Sequence, residues 1–355
     1  MAGEGGNIIR NIAGKSYKEA ETITKDASKG ALDFKSPKEN TFYGKDGGKK
    51  FVDYIEKKEK VDDKNLVLEI KRLTNYEIDL FDTVIVEVVK FKKSPTIEDK
   101  NAVNWLIDYG SIQQKIEAKK EKLNLYVGDK KCYNSEFKIF AYIQKMNNEL
   151  FVKIKVREIE VVSRKDWNAR QEQTGANYSY EKITTPLVEY YDTIVVHHSG
   201  NAKHFPSVKD IQNEHMDDME KADIGYHFAI DKEGKIYEGR PINIKGAHVD
   251  KANTGKIGIV LLGDLSTDNK GINKGIFGSL KLNMEIKDGD DYITDKMEKS
   301  LLRLCIHLDR LYKIDFVGGH MEIATSSNTD ERYCPGNLTM AKIDGWRKIL
   351  EKKKP

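Results

Sequence analysis

The run "DTIVVHHSG" at residues 192–200 ends an apolar segment in two adjacent histidines. Imidazole serves as a proton carrier and as the commonest metal ligand. A strand sends successive side chains to opposite faces, so His197 and His198 cannot both enter one site from a regular strand. The chain has eight histidines, all at or after position 197, which confines imidazole chemistry to its second half. Three cysteines, Cys132, Cys305 and Cys334, are too few and too scattered to describe a disulfide framework. A catalytic zinc centre takes three protein ligands from His, Cys or carboxylate and keeps a fourth position open. Zinc tolerates one thiolate beside two imidazoles.

Position sorts the candidates. His307 falls on the helical face shared with Ser300, Arg303 and Arg310, which predicts a solvated ring. His204 lies in a polar loop. His215 follows Ile211 by four residues on an apolar helix face and reads as a hydrogen-bonded core histidine. His227 must point away from its neighbour Tyr226, and Cys305 sits in an apolar stripe as a small core residue. His197, His248, His320 and Cys334 remain. His320 ends "DFVGGH", where an apolar strand meets two glycines, and Cys334 sits in "ERYCPGN", where Pro335 and Gly336 stop regular structure. A thiol in such a loop is better explained as a thiolate ligand than as packing.

The elements around these residues divide the 355-residue chain into three parts. Residues 1–62, rich in Lys, Gly, Ser and Asp, read as a flexible polar leader. Residues 63–161 hold runs such as "NLVLEIKRL", "DTVIVEVVKF", "KLNLYVG" and "ELFVKIKVREIEVV", several with period-two alternation. They predict an all-β sandwich of immunoglobulin-like type, a spacer or docking module. From 162 to 355 strands and helices intermingle, which predicts an α/β domain with a central mixed sheet flanked by helices. Ser207 with Asp210 forms a capping-box pattern before "VKDIQNEHM". Met297, Leu301, Leu304, Cys305, Leu308 and Leu311 line one stripe of a long helix. Residues 265–292, rich in Gly, Asp and Asn, read as an inserted loop or hairpin, and "EKKKP" as a solvated end.

Composition narrows the classes. Charged residues make up 33% and hydrophobic ones 39%, as in a globular protein with a well-solvated surface. A net charge of +3 gives no argument for nucleic acid as a partner. No run could span a bilayer, and the first residues lack an apolar core of signal-peptide length. The expectation is synthesis in the cytoplasm without a signal peptide or membrane insertion.

The pieces "VVSRKDWNAR", "TIVVHHSG", "VKDIQNEHM", "DIGYHFAIDKEGKIYEGR", "GAHVDKANTGKIGIVLLGD", "GGHMEI" and "YCPGN" occur in an order that resembles the zinc-dependent N-acetylmuramoyl-L-alanine amidases. That family includes the phage lysozyme-type amidases and the peptidoglycan recognition proteins. The resemblance covers about 162–350, and it implies hydrolysis of the amide joining N-acetylmuramic acid to L-alanine of the stem peptide. It implies Zn2+ held by His197, His320 and Cys334, with His198 turned to the other face. Tyr226 carries over as a catalytic residue, and His248 and Asn253 carry over to positions lining the substrate cleft, with Arg240 near them in sequence. Arg332 stands where phage-type amidases place a lysine, and Val260 where some cytosolic relatives carry a catalytic glutamate. The segment between His320 and Cys334 is longer than the family's compact version. Arg332 is expected to stabilise the developing oxyanion, and Glu322 to accept from an imidazole and fix its orientation. Peptidoglycan is the expected partner. A leader and β module ahead of a wall-degrading domain suggest a cargo or effector of a contractile injection or type VI-like system, engaged through residues 1–161 and countered by an immunity protein. A phage endolysin and a non-hydrolysing muropeptide-binding protein are the alternatives.

Overall fold

The computed structural model describes residues 65–200, 205–266, 291–323 and 334–355. The polar leader, His204, Arg332 and nearly all of the 265–292 insertion lie outside the described residues. Lys64–Pro355 form one compact unit.

Alternating residues between 65 and 156 build two sheets over one apolar core. The first contains β1 (Val67–Arg72), β3 (Thr83–Phe91) and β6 (Lys122–Tyr126), antiparallel in the order β1-β3-β6, with β2 (Glu77–Ile78) belonging to its partner. The second runs β2-β8-β7-β4-β5 through β4 (Asn104–Asp108), β5 (Gln113–Ile116), β7 (Ser135–Tyr142) and β8 (Phe151–Val156). Its outer pair β2–β8 is parallel and the rest antiparallel. Val84, Val86, Trp105, Ile107, Phe137, Ile139 and Ile154 fill the space between. The predicted all-β character holds. Between β3 and β4 the segment "KKSPTIEDK" contains the short helix α1 (Ile97–Asn101), because Thr96 and Asp99 form a reciprocal capping box.

The second half forms a six-stranded mixed sheet in the order β14-β10-β13-β11-β12-β9. Its strands are β9 (Val161–Val162), β10 (Thr193–His198), β11 (Phe228–Ile230), β12 (Ile236–Glu238), β13 (Lys256–Leu261) and β14 (Phe316–Gly319). Its helices are α2 (Leu187–Tyr190), α3 (Val208–Asn213, capped by Ser207 and Asp210 as predicted), α4 (Asp295–Tyr312), α5 (His320–Ile323) and α6 (Asn337–Leu350). One sheet face, with Ile194, Val196, Ile259 and Leu261, packs against α4 and α6. The other, with Ala229 and Val260, packs against Val208 and Ile211 of α3. No helix among the described residues is long and apolar enough to cross a membrane.

Two surface expectations are corrected. The His307 face of α4 is not solvated, because it docks on the β module. Arg303 is 9% exposed and pairs with Asp79, and His307 contacts Tyr133 and Glu158. A polar stripe is satisfied as well by a charged partner surface as by water, and helical periodicity alone cannot tell the two apart. At its end the apolar stripe of α4 stops short, with Leu311 48% exposed. The tail "EKKKP" is not free either. Lys353 bridges to Phe316 on the sheet edge, and Lys352 bonds Asp309 and the Ile314 carbonyl. An open edge strand offers unpaired backbone groups that a following segment can satisfy.

Candidate metal centre

Parallel strands in register place side chains of equal phase next to one another. Val196 of β10 pairs with Gly319 of β14, so the next residues along, His197 and His320, stand side by side. Their ring centroids are 4.6 Å apart. His197 is also in register with Val260, itself paired with Ala229, and this row lies on the α3 face. His198 pairs with Leu261 on the opposite face, as strand alternation required.

Cys334 completes the group. The Met321 amide donates to the Cys334 carbonyl at 2.8 Å, which ties the cysteine to the start of α5. Gly336 follows at φ 84, in the left-handed region, and a Cβ there would meet the Leu265 carbonyl at 2.3 Å. Only glycine lets the chain turn that close to the neighbouring loop. The ligand-type atoms of His197, His320 and Cys334 lie within 4.8 Å of one another, and Cys334 Sγ is 3.4 Å from His197 Nδ1. Bonds of about 2.1–2.3 Å to a tetrahedral ion put its ligands roughly 3.5 Å apart, so the donors fit zinc in type and spacing. Burial holds the His197 pKa well below its ordinary value, which keeps the ring neutral, the form that binds metal.

His320 and Cys334 open on a cleft of about 780 Å³ whose lining also includes Tyr226, His248, Asn253 and Glu214, with His197 buried behind them. The Tyr226 ring lies 4.9 Å from that of His197. Burial raises the pKa of its hydroxyl, with Cys334 and Glu214 adding to the effect, so the group is a proton-bearing donor at neutral pH. Lys221 also faces the cleft, and burial lowers its pKa.

Other predicted residues take different positions. Asn253 reaches the cleft wall, but its amide is engaged with the backbone: Oδ1 accepts from His248 N and Val249 N, and Nδ2 donates to the Val249 carbonyl. Arg240 does not line the cleft. It is 1% exposed, donates to the carbonyls of Ile224 and Lys245, and stacks on Tyr180, so it staples loops together. Glu322, expected on an imidazole, instead binds Arg347, Lys354 and the Gly319 amide. The carboxylate follows the nearest buried guanidinium, which lies 25 positions away in sequence. Among those set aside, His215 accepts from Gly225 N at 2.9 Å, as a core histidine should, while also edging the cleft. His227 is fully buried, with its ring bonded to Gly258 N and the Ile244 carbonyl.

Sequence reasoning missed Glu214 because it weighed only the apolar face of that helix, and Lys221 because it lies in the loop beyond the helix. It also missed a direct contact between His197 Nε2 and His248 Nδ1 at 3.0 Å. A signal for that contact was present. A Cβ at Gly246 or Gly258 would meet the His248 ring at 2.5 Å, so "KGAH" and "KIGIV" keep the space that ring occupies.

The model of the N-acetylmuramoyl-L-alanine amidase family matches residues 188–337, a span that contains the trio and the cleft. Residues 188–337 belong to that family. Peptidoglycan-recognition protein SC2 of Drosophila simulans is 36% identical over 125 residues, 34% of this chain and 63% of that protein. The chain thus spans somewhat under two thirds of that relative's length. Peptidoglycan-recognition protein SC1a of Drosophila melanogaster is 28% identical over 194 residues, 53% of this chain and 86% of that one. Among solved structures, wild-type Drosophila PGRP-LB superposes with a TM-score of 0.39 at 26% identity, covering 53% of this chain and 94% of that one. The three candidate ligands come from β10, from the first residue of α5 and from the turn before α6, so the amidase domain assembles its centre from distant parts of the sequence.

Proposed function

We propose that this protein is a zinc-dependent N-acetylmuramoyl-L-alanine amidase, hydrolysing the bond between N-acetylmuramic acid and L-alanine in peptidoglycan. The observation that carries the reading is the convergence of His197, His320 and Cys334 beside an open cleft, within a segment of amidase family. Zinc held there would supply a Lewis acid that polarises the amide carbonyl and acidifies water, both of which an unactivated amide requires. The remaining work falls to the chain. His197 offers a neutral ring, and Tyr226, protonated at neutral pH, donates toward the oxygen that gains charge as the amide is attacked. Arg332, two residues before Cys334, supplies positive charge to the same oxygen in this reading. Lys221 and Glu214 on the cleft wall offer partners for the charged groups of a stem peptide.

A muropeptide-binding protein that does not cut is the second reading, and the presence of the Cys334 thiol in the trio favours hydrolysis over it. We also read the protein as cargo or effector of a contractile injection or type VI-like system, with an immunity partner, acting on the wall after injection, export or lysis. In that reading the β module, immunoglobulin-like by its sequence, is the docking element. Its two-sheet build on a single core supports a rigid spacer.

Mass spectrometry of purified muropeptides incubated with the protein, with and without a chelator, tests the chemistry. Free stem peptides should appear, vanish with chelator, return with zinc, and be absent for Cys334→Ser. Full activity in a metal-free preparation would overturn the zinc assignment, and bound but uncut muropeptides would favour the second reading.

A further inference from the structure

His197 has two ring nitrogens with different neighbours. Nδ1 faces the Cys334 sulfur at 3.4 Å, and Nε2 faces Nδ1 of His248 at 3.0 Å. One proton must lie between the two rings, and its position decides which nitrogen of His197 carries a free lone pair. The far side of His248 resolves the choice. Its Nε2 points at the Lys256 carbonyl, 3.4 Å away, and a carbonyl oxygen can only accept. His248 therefore carries its hydrogen on Nε2 and presents a lone pair at Nδ1. His197 then donates from Nε2, and its own Nδ1 lone pair points toward Cys334.

From this chain of contacts we infer that His248 is a positioning residue for the metal centre, fixing the tautomer and ring orientation of His197. The inference rests on the zinc reading above. Metal-bound histidines commonly donate their second N–H to a carboxylate, carbonyl or water, and here another imidazole takes that part. The surroundings hold His248 in place for it. Asn253 accepts from the backbone amide of His248, and Gly246 and Gly258 lie where any side chain would collide with its ring. Within the cleft, His248 acts through His197 and not on the reacting atoms.

The test compares zinc dissociation constants of the full chain, by competition with a chromogenic chelator, for wild type, His248→Phe and His248→Asn. Phe keeps a planar ring and cannot accept. Asn loses the ring but places Oδ1 where Nδ1 stood. Phe should weaken zinc binding by about 10–100-fold, the range typical of losing such an outer partner. It should also alter the visible spectrum of the cobalt(II)-substituted protein while far-UV circular dichroism stays unchanged. Asn should recover most of the affinity. If Phe binds zinc like wild type, or if Asn fails where Phe succeeds, His248 serves packing alone and the inference falls. Wild type that binds no zinc would overturn the underlying reading as well, which separates the two failures.

Discussion

Glu322 offers the sharpest test of how the centre is held. Its side chain is 6% exposed and that of its partner Arg347 is 7% exposed. One carboxylate oxygen accepts from the Arg347 guanidinium and from the Gly319 amide at 3.0 Å, and the other meets Lys354 at 3.3 Å. Gly319 immediately precedes His320, so this carboxylate anchors the turn that presents a candidate ligand. Replacing Glu322 with Ala strands a buried guanidinium, a change that typically costs about 3–5 kcal/mol. Arg347 keeps the Val317 carbonyl at 2.7 Å and Asp344 at 2.6 Å, and Asp344 is 83% exposed and thus a weak substitute. The expected cost is therefore the lower end, about 3 kcal/mol. Glu322→Gln retains an acceptor for Gly319 but turns an NH2 toward the guanidinium or loses the charge opposite it, for about 1–3 kcal/mol. Urea unfolding of the metal-free full chain reads these values, with the buried Trp346 on α6 as a local fluorescent probe. Zinc affinity should fall in the same order, Ala below Gln below wild type. An Ala variant within about 0.5 kcal/mol of wild type, the range of an ordinary surface change, would refute the anchoring argument.

Two further outcomes concern the scaffold. Tyr133→Phe at the seam between the β module and α4 removes the acceptor of the Ile159 amide and the partner of His307 Nδ1, at 3.0 and 3.1 Å, from a residue 1% exposed. Unfolding should lose about 1–3 kcal/mol, and an unchanged midpoint would mean the seam does not depend on that hydroxyl. Burial lowers the pKa of His215 to about 3 and of His227 to about 4. The unfolded chain binds these protons first, so their contribution is complete above about pH 6.5 and shrinks as pH falls toward 4, by at most about 1.4 kcal/mol per pH unit for each. Unfolding midpoints of the metal-free protein between pH 7 and 5 should drop accordingly, and a flat profile would show that the rings gain protons without cost.

Much of this architecture was legible in the sequence. Period-two runs marked several strands of the β module, since a half-buried strand cannot hide its alternation, and the capping box placed the start of α3. The trio His197, His320 and Cys334 was legible only through ordered motifs, because His197 lies more than a hundred residues before the other two and strand register brings it beside His320. What stayed illegible was the partner of each charged group. Arg240 lies next to a presumed cleft in sequence yet turns inward, because its guanidinium finds loop carbonyls there. Glu322 sits two residues from a histidine and answers instead to Arg347. Polar side chains choose partners by three-dimensional proximity in a low dielectric, which a one-dimensional pattern does not encode. The polar face of α4 failed as a solvent marker for the same reason, since the β module offers Asp79 and Tyr133 in place of water.

The paired histidines show how one alternation serves a site from both sides of a sheet. His197 faces the trio directly. His198, on the other face, accepts from Leu265 N at 3.0 Å and lies 3.4 Å from Asp264. Burial lowers its pKa to about 4, so it remains neutral and its Nδ1 can accept. Leu265 in turn accepts from Leu338 N at 3.2 Å and meets the glycine turn at Gly336, two residues after Cys334. The second ring of the pair thus braces the loop on which the thiol turn rests. A single strand end then governs two of the three donors, one by its own nitrogen and the other through Leu265. Shifting that strand by one residue would exchange the two roles and turn every apolar side chain of β10 to the wrong layer. The apolar register that packs the sheet against α4 and α6 is therefore the same constraint that aims His197 at His320 and Cys334.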